Sequence, residues 1–578
     1  MTTTNNMTFK IAGAAGQGVE SSGAGFAQAL ARGGLHLFAL QDYMSRIRGG
    51  LNFYQIRVHE QPLYTHEDAV HILLPLNKEA LEAHQDEVVD GGGIIYDPGL
   101  KVDPESVATG GRKAMPVPLI DIAKEHGERV MANTAALGAA AGVADYSFER
   151  LADIIRENFQ RKGPEVVAAN LRVGRTAYNY AQEHYGADFE WKLHQVPEAP
   201  ERMVMAGNAA FALGALAGGC RFMSAYPMTP ATSIIEWLAK HEHEYGVVTK
   251  HAEDEIAAVC MAVGANFVGA RAMTATSGGG FSLMVEALGL AGICEVPLVV
   301  VEAQRGGPST GLPTRTEQSD LLFALNASHG EFPRLALAPG TIEEYFECGW
   351  RAFNLAETYQ TPVIVLSDHL LASSLRTIEI DAIDFDKIEI DRGKLLTEAE
   401  LDALEEPYKR HLFVEDGISP RAVAGHPNGV FATASDEHDE FGSITEDMDN
   451  RNKMMQKRMQ KLETARRDIE PPTRYGPDEA PIVLVGWGST YGVLREVVDR
   501  LAGEGRLVHF RDLWPFPAEA AVEALRGGKL VTVENNYTGQ FKQLLQGETC
   551  IEVDHTILRY DGRAFSPEDV LAGLKEVR

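Results

Sequence analysis

Basic residues are scarce in this chain of 578 residues. It contains 53 Lys and Arg against 82 Asp and Glu, which gives a formal net charge of -29 at pH 7. Nucleic acids and anionic lipid surfaces are bound largely through Lys and Arg, so this deficit argues against both as partners. The acidic excess predicts a well-solvated surface.

Cysteine is also rare, and the five cysteines are widely spaced at Cys220, Cys260, Cys294, Cys348 and Cys550. No two of them have the CxxC spacing of a zinc or iron–sulfur clip, so we expect no metal site in this chain. Their scatter provides no disulfide framework, which favours a reducing compartment. The sequence also lacks an apolar run of about twenty residues that could cross a bilayer. The polar start, MTTTNNMTFK, is unlike a signal peptide, and we therefore expect a cytoplasmic protein.

Four regions can be separated along the chain, and three of them predict α/β structure. Residues 1–190 open with a short strand, a Gly-rich turn and an Ala-rich helix. Residues 200–375 alternate apolar strands (272–276, 297–302, 362–366) with Ala/Gly-rich helices, which predicts a doubly wound parallel sheet. Residues 376–475 are charged and poor in apolar side chains, and we interpret them as an acidic connector or subunit-contact arm. Residues 478–578 return to an α/β pattern.

The Gly-rich turn near the N-terminus is a candidate anion site. Gly13, Gly16 and Gly18 precede a helix, whose first N–H groups can bind a phosphate. The segment SRIRGG adds Arg46 beside a glycine pair. However, the glycine spacing differs from GxGxxG, and no acidic ribose ligand follows about twenty residues later. A purely structural turn is an equally good interpretation.

Four segments of the second region each lie where a strand gives way to a helix. They are SAYPMTPAT (224–232), HAEDEIAAVCMAVGA (251–265), TATSGGGFSLM (274–284) and EAQRGGPSTGLPTRTEQSD (302–320). In a doubly wound sheet such turns line the carboxyl edge, where ligands bind. This edge is therefore the predicted site.

Glu255 is the most informative single residue in these segments. Helical periodicity places it on one face with Ala258, Val259 and Ala262, so its carboxylate is predicted to point into an apolar region. A buried carboxylate without a partner is costly, which favours a functional role. The alternative is a carboxylate on the first helical turn that is stabilised by the helix dipole.

The spacing from Glu255 to Gly264-Ala265 resembles the pyrimidine-binding domain of thiamine diphosphate enzymes. The wider set of YPMTP, HAEDE, TSGGG and GPSTGLPTRTEQSD resembles the alpha subunit of 2-oxoacid:ferredoxin oxidoreductases. The N-terminal region is similar to the gamma subunit of that family, here fused ahead of alpha. The C-terminal GWGST and DLWPFP segments are similar to its transketolase C-terminal-like domain. The implied fold is α/β throughout.

The resemblance implies a thiamine diphosphate site shared with a beta subunit. Glu255 would be the catalytic residue that hydrogen-bonds the aminopyrimidine, with Pro227, Gly278 and Gly279 as further cofactor contacts. In that family the beta subunit carries the Mg²⁺-diphosphate site and the [4Fe–4S] cluster, and the lack of a GDG…N motif and of clustered cysteines in this chain fits such a division. Coenzyme A would be the co-substrate and ferredoxin the electron acceptor.

The 2-oxoacid carboxylate requires a cation and hydroxyl donors. Arg315 is the predicted cation, because a guanidinium binds a carboxylate through two hydrogen bonds. Thr229 and Thr310 are the candidate hydroxyl donors, and Arg305 is the alternative cation. The alternative for Arg315 is a surface arginine, and Thr229, between two prolines, could simply hold its turn.

Several alternatives remain open from the sequence. 2-Oxoglutarate is the preferred substrate, with pyruvate or a branched-chain 2-oxoacid as competitors. A nicotinamide-dependent dehydrogenase and a non-catalytic scaffold are the competing functions. His251 is expected to be a capping or surface histidine, and the acidic run at 437–442 a solvated part of the connector.

Overall fold

The computed structural model describes residues 3–44 and 50–577. They form two compact units. The first comprises the described residues up to Met205, with Ser373–Ala382 and Ser566–Glu568. The second comprises Ala206–Ala372, Ile383–Phe565 and the described residues from Asp569 onward. The finer division into four regions stays a prediction.

The first unit is built on an eight-stranded mixed sheet. In spatial order its strands are Lys113–Pro116, Val88–Tyr96, Val70–Pro75, Asn6–Ala14, Leu51–His59, His36–Asp42, Leu375–Glu379 and Arg202–Ala206. The first four strands are parallel to one another, and each of the next three pairs antiparallel with the strand before it. A separate parallel pair joins Thr3–Thr4 to Trp191–Lys192.

The helices of the first unit include one, Ala132–Val143, whose buried residues are mostly alanine and glycine. They are Val19–Arg32, Lys78–His84, Pro104–Val107, Leu119–His126, Ala132–Val143, Phe148–Phe159 and Pro164–Ala181. Helix Ala132–Val143 packs on Pro164–Ala181 so closely that a Cβ on Gly138 would overlap the backbone of Gly174. Small residues therefore set this helix spacing.

The second unit contains a seven-stranded sheet. In spatial order its strands are Val248–His251, Phe222–Ala225, Ala272–Thr276, Leu298–Gln304, Pro362–Asp368, Leu335–Leu337 and Asp512–Trp514. All neighbours are parallel except the last pair. Strands Leu298–Gln304 and Pro362–Asp368 are buried along their whole length, as expected when helices cover both faces.

The strand order reverses between Phe222–Ala225 and Ala272–Thr276. From Phe222–Ala225 the chain passes to one neighbour, Val248–His251, and then returns to the other neighbour, Ala272–Thr276. Such a reversal leaves a crevice at the carboxyl ends of the strands, which is where ligands bind in open α/β sheets. The loop 226–231 and Glu255 both lie at this edge.

The second unit also contains a five-stranded sheet. Its strands in order are Thr473–Tyr475, Gly505–Phe510, Ile482–Trp487, Lys529–Glu534 and His555–Leu558, and only the first is antiparallel.

Thirteen further helices follow along the described chain after residue 206. They are Gly207–Ala217, Thr232–Tyr245, Glu255–Phe267, Gly278–Ile293, Leu321–Asn326, Ile342–Tyr359, His369–Ser373, Glu398–Asp402, Met448–Ala465, Thr490–Arg500, Ala518–Ala524, Gln540–Thr549 and Pro567–Leu574.

A buried ion-pair cluster joins Glu295, which precedes strand Leu298–Gln304, to side chains of the charged segment 376–475. Glu295 is completely buried, and its two carboxylate oxygens lie 2.6 Å from Lys457 Nζ and 2.5 Å from Lys461 Nζ. His411 Nδ1 lies 2.9 Å from the same carboxylate. Although burial acts to raise it, the charges of Lys457 and Lys461 hold the pKa of Glu295 well below its usual range.

The expectation of a solvated run at 437–442 was wrong at two residues. His438 is completely buried, and its ring lies 4.1 Å from that of His411. Glu437 accepts a hydrogen bond of 2.6 Å from the buried Arg458. Helix Met448–Ala465 brings buried cations against this segment, and these cations compensate the acidic side chains.

Glu295, His411 and His438 offer ligand atoms within 4.8 Å of one another, a donor set of the kind that holds a metal ion. However, both oxygens of Glu295 already face ammonium groups. The positive charge of two lysines opposes the entry of a further cation. We therefore describe this group as an ion-pair cluster.

Candidate active site

Glu255 begins helix Glu255–Phe267 at the carboxyl edge of the seven-stranded sheet. Asp254 caps the helix by accepting a hydrogen bond of 2.8 Å from Ala257 N, so Glu255 is not needed as the cap. Only 3% of Glu255 is exposed, and Ala258 and Val259 on the same helical face are fully buried. The predicted carboxylate in an apolar setting is therefore confirmed. His251 is exposed, as a surface histidine would be.

Three consecutive glycines make room for the carboxylates around this helix end. Gly278, Gly279 and Gly280 form the first turn of helix Gly278–Ile293, hereafter the glycine helix. A Cβ on Gly280 would overlap Glu255 Oε1 and Thr276 Oγ1, and a Cβ on Gly278 would overlap the carboxylate of Asp320. On Gly279 it would meet only Ser309 O, at 3.8 Å. Two of the glycines are thus required by close approach of acidic side chains.

The loop after strand Phe222–Ala225 closes the same site. Met228 Sδ lies 3.8 Å from Thr276 Oγ1, which in turn lies 3.5 Å from Glu255 Oε1. Arg305 Nη1 donates a hydrogen bond of 2.8 Å to Thr229 O. Burial lowers the pKa of Arg305, and the charge of Glu255 opposes this effect. Thr229, Arg305 and Glu255 therefore share one site, and Pro227 lies in its loop.

Arg315 and Thr310 occupy the long segment between strand Leu298–Gln304 and helix Leu321–Asn326. Arg315 packs against Gly562, where a Cβ would come within 2.8 Å of Arg315 Cβ. Burial and the neighbouring Arg563 lower the pKa of Arg315. Thr310 is exposed, next to Ser309. Arg315 therefore lies near Gly562 and also acts electrostatically on buried His369, whereas Arg305 contacts the loop of Thr229.

The Gly-rich turn of the first unit borders a cavity of about 1100 Å³. Gly16 and Gly18 line it and have φ values of 85° and 75°, which favour glycine. Asn133 Nδ2 donates a 2.5 Å hydrogen bond to Gln17 O and holds the turn. Gly13 does not line the cavity but packs against Gln17. Arg46 lies outside the described residues.

Three family models match successive parts of the chain. Residues 8–180 match the pyruvate ferredoxin/flavodoxin oxidoreductase model. Residues 213–457 match the thiamine diphosphate-binding model of pyruvate flavodoxin/ferredoxin oxidoreductases. Residues 480–570 match core domain II of pyruvate:ferredoxin oxidoreductase.

Curated relatives match nearly the whole chain. The 2-oxoacid:ferredoxin oxidoreductase subunit alpha of Saccharolobus solfataricus is 34% identical, over 99% of this chain and 98% of the relative. The chain belongs to the 2-oxoacid:ferredoxin oxidoreductase alpha-subunit family. Another relative, the 2-oxoglutarate oxidoreductase subunit KorA of Mycobacterium tuberculosis, is 32% identical over 98% of this chain and 90% of its own.

A solved structure agrees with this family assignment. The 2-oxoglutarate:ferredoxin oxidoreductase of Magnetococcus marinus is 35% identical and superposes with a TM-score of 0.92, covering 99% of both chains. The resemblance predicted from the motifs is confirmed, as are the α/β fold and an oxidoreductase function. As an alpha subunit, the chain works with at least one partner subunit. Within residues 3–44 and 50–577, no helix is long and apolar enough to span a membrane.

Sequence reasoning missed two acidic residues of this oxidoreductase site. Glu302 ends the apolar stretch of strand Leu298–Gln304 and is completely buried, and Asp320 lies against the glycine helix. The available signal was a charged residue directly after three valines in a predicted central strand. Thr276, which lies between Glu255 and Met228, was also not singled out.

Gly280 offers a direct test of the site geometry. In Gly280→Ala the new Cβ overlaps Glu255 Oε1 and Thr276 Oγ1, so one of these groups must move. We expect thiamine diphosphate binding by the assembled complex to weaken about tenfold, since overpacking costs about 1–3 kcal/mol. Titration calorimetry on the cofactor-free complex measures this.

The matched control is Gly547→Ala in helix Gln540–Thr549, where an added Cβ meets nothing within 4 Å. We expect this variant to bind the cofactor as the parent does. Equal affinity of both alanine variants would contradict the packing described around Gly280.

Proposed function

We propose that this chain forms the aminopyrimidine-facing half of a thiamine diphosphate site in a 2-oxoglutarate:ferredoxin oxidoreductase. The oxidoreductase would convert 2-oxoglutarate and coenzyme A to succinyl-CoA and CO₂ while reducing ferredoxin, or run in reverse. A beta subunit would supply the Mg²⁺-diphosphate site and the [4Fe–4S] cluster. The names of relatives as alpha subunits support a division of the work among subunits.

The observation that carries the proposal is that the carboxylate of Glu255 is buried and has no short hydrogen bond among the described residues. Among residues 3–44 and 50–577, the one hydrogen bond described to its carboxylate is the 3.5 Å contact from Thr276 Oγ1. A buried carboxylate without a short hydrogen bond is costly, and a ligand that supplies a ring nitrogen to it removes that cost. The residues present therefore fit the aminopyrimidine of thiamine diphosphate.

Once bound, thiamine diphosphate supplies the electron sink that allows the carboxylate of a 2-oxoacid to leave as CO₂. Glu255 would hold the proton exchanged with the aminopyrimidine at its carboxylate. Gly278 and Gly279 would let the ring approach the backbone of the glycine helix. Ala258 and Val259, both buried, exclude water around the carboxylate.

2-Oxoglutarate carries two carboxylates, and this chain has two arginines near the carboxyl edge of the sheet. Arg305 is fixed on Thr229 O, beside Glu255, and would bind the carboxylate nearer the reacting carbon. Arg315 belongs to the segment that leads away from strand Leu298–Gln304 and would bind the distal carboxylate. Thr229 and Thr310 are the hydroxyl donors that we assign to the same substrate.

Replacing each arginine with alanine separates these two roles. We expect Arg305→Ala to lower kcat/KM about ten- to hundredfold for every 2-oxoacid, because a charge-assisted hydrogen bond contributes about 1.5–3 kcal/mol. Arg315→Ala should do so for 2-oxoglutarate but not for pyruvate, which lacks the distal carboxylate. Steady-state kinetics with both acids make the comparison.

Arg172→Ala, on an exposed helical face of the first unit, is the control and should leave both values near those of the parent. Loss of pyruvate and 2-oxoglutarate activity in equal proportion in the Arg315 variant would assign Arg315 to the shared carboxylate. Unchanged kinetics would remove it from the site.

Coenzyme A is assigned to the cavity beside the Gly-rich turn. Helix Val19–Arg32 begins there without a side-chain cap, so its first N–H groups are available to a phosphate. The cavity of about 1100 Å³ also has apolar walls suited to an extended ligand. Gly16 and Gly18 would approach the phosphates, and Gly13 would support the turn.

The test is viologen reduction by the complex, purified without oxygen, with coenzyme A and a panel of 2-oxoacids. We expect coenzyme A-dependent reduction with 2-oxoglutarate, because the related structure holds 2-oxoglutarate, coenzyme A and succinyl-CoA. Activity with pyruvate or a branched-chain 2-oxoacid alone would overturn the choice of substrate. No reduction with any of them, despite added thiamine diphosphate, would overturn the proposal.

A further inference from the structure

Gln318 is a buried residue that the proposed chemistry does not use. It lies near the end of the long segment between strand Leu298–Gln304 and helix Leu321–Asn326, and it is completely buried. A buried side-chain amide needs an acceptor for its nitrogen and a donor for its oxygen. Gln318 finds both on the five-stranded sheet of the second unit.

Four hydrogen bonds join Gln318 to the carboxyl edge of that sheet. Trp487 is the last residue of one strand, and Asn535 directly follows the parallel strand beside it. Gln318 Nε2 donates a bond of 3.0 Å to Trp487 O, and Gln318 Oε1 accepts one of 3.2 Å from Asn535 N. The backbone N–H of Gln318 donates 2.7 Å to Asn535 O, and its carbonyl accepts 3.1 Å from Asn536 Nδ2. Both the side chain and the backbone of Gln318 are therefore fixed.

The backbone of Arg315, three residues earlier, is held at the same edge. Thr316 N donates a hydrogen bond of 3.2 Å to Gly562 O, in the loop after strand His555–Leu558 of the five-stranded sheet. A Cβ on Gly562 would come within 2.8 Å of Arg315 Cβ. The chain from Arg315 to Gln318 is thus attached at both ends to the five-stranded sheet.

The charge of Arg315, by contrast, acts at the seven-stranded sheet. Burial, and after it the charge of Arg315, lower the pKa of His369 to about 4. His369 is buried and directly follows strand Pro362–Asp368, at the carboxyl edge where ligands of such a sheet bind. Arg315 therefore has its backbone on one sheet and its charge beside the site of the other.

The residues that we assign to the other carboxylate are supported separately. Arg305 Nη1 donates 2.8 Å to Thr229 O. The next residue is held by Asn208, whose Nδ2 donates 2.8 Å to Pro230 O and whose Oδ1 accepts 3.2 Å from Tyr345 OH. All five of these residues lie outside the five-stranded sheet and its loops. The two carboxylate positions therefore rest on different parts of the second unit.

We propose that Gln318 is a positioning residue that sets the preference for a 2-oxoacid with a second carboxylate. By tying its segment to the five-stranded sheet, it holds the Arg315 guanidinium where the distal carboxylate binds. A displacement of about 1 Å in a binding group can cost about a hundredfold in rate, so a long side chain discriminates only from a fixed backbone. The inference rests on the proposed role of Arg315, through which Gln318 acts.

The test compares steady-state kinetics of the assembled complex with 2-oxoglutarate and with pyruvate. Gln318→Met keeps the approximate size of the side chain but loses both of its hydrogen bonds. We expect the ratio of kcat/KM for 2-oxoglutarate to that for pyruvate to fall about tenfold. The fall should come from a higher KM for 2-oxoglutarate at nearly unchanged kcat, because the distal carboxylate binds equally in the ground state and the transition state.

A double-variant cycle shows whether Gln318 acts through Arg315. In the Arg315→Ala background, Gln318→Met should lower the ratio no further, since residues that act through one contact are not additive. A second tenfold fall in the double variant would show that Gln318 works independently of Arg315 and would overturn the proposal.

Two further variants serve as controls. Asn208→Ala removes a buried amide from the support of the Thr229 loop and should lower kcat/KM for both acids in proportion, which leaves their ratio unchanged. Gln543→Ala removes an exposed amide that donates 2.9 Å to Thr538 O and should leave both values near those of the parent. A fall of the ratio in Asn208→Ala as large as in Gln318→Met would indicate general loosening of the site and count against the proposal.

The outcomes separate this proposal from the proposed function. If Arg315→Ala lowers the ratio and Gln318→Met does not, the proposal is wrong and the role of Arg315 stands. If Arg315→Ala itself leaves the ratio unchanged, the assignment of the distal carboxylate fails first and the proposal fails with it. If the Gln318 variant does not assemble, Gly562→Ala decides, because its new Cβ displaces Arg315 while Gln318 is intact. An unchanged ratio in Gly562→Ala then overturns the proposal.

Discussion

Glu255→Gln should lower the kcat for 2-oxoacid oxidation by about 10²- to 10⁴-fold, the range for loss of a positioned acid–base group. The amide retains the size of the side chain and can still donate a hydrogen bond, but it cannot transfer a proton. Viologen reduction under saturating 2-oxoglutarate and coenzyme A measures kcat. Calorimetric titration of thiamine diphosphate on the same variant shows how much of the effect is lost binding.

Glu286→Gln is the matched control, since it removes an exposed carboxylate from the same glycine helix that packs against Glu255. We expect its turnover to be close to that of the parent. Turnover of the Glu255 variant within about twofold of the parent would favour the scaffold interpretation instead.

Glu295→Gln should cause a large loss of stability, because it removes the shared counter-ion of the buried ion-pair cluster. The change leaves the buried ammonium groups of Lys457 and Lys461 without their counter-ion. Breaking a buried ion pair from one side costs about 3–5 kcal/mol in the free energy of unfolding. Urea unfolding followed by circular dichroism provides the measurement.

Two comparison variants define the cause of this loss. Glu463→Gln breaks an exposed pair with Arg466 and should cost about 0–1 kcal/mol. The triple variant Glu295→Gln, Lys457→Met, Lys461→Met removes all three charges and should recover part of the loss. A triple variant less stable than Glu295→Gln alone would show that packing, rather than uncompensated charge, dominates.

A residue of the site could be predicted from the sequence where a local pattern alone determined the position of its side chain. Glu255 follows a predicted strand and begins an apolar helical face, so both its place at the sheet edge and its burial follow from periodicity. The four strand-to-helix turns were found for the same reason. The strand predicted at 272–276 has those same bounds in the structure, Ala272–Thr276.

The remainder depends on contacts between distant residues, which local periodicity does not encode. Glu295 and Lys461 lie 166 positions apart, the first in an apolar stretch and the second in a charged helix, and neither local pattern indicates the other. The contact of Asp320 with the glycine helix needs the segment between Glu302 and Asp320 to fold back on that helix. Choosing between Arg305 and Arg315 likewise depends on which one the loop of Thr229 contacts.

Strand Leu375–Glu379 restricts how the chain can be cut into fragments that are expressed separately. It pairs with His36–Asp42 in the sheet of the first unit, yet it is encoded more than three hundred residues later. A fragment that ends at Met205 would expose the edge of His36–Asp42 and separate it from Arg202–Ala206 in the sheet. Open strand edges promote aggregation by pairing with other chains. A soluble, independently expressed version of this unit would therefore require residues 373–382 to be grafted back, for example by circular permutation.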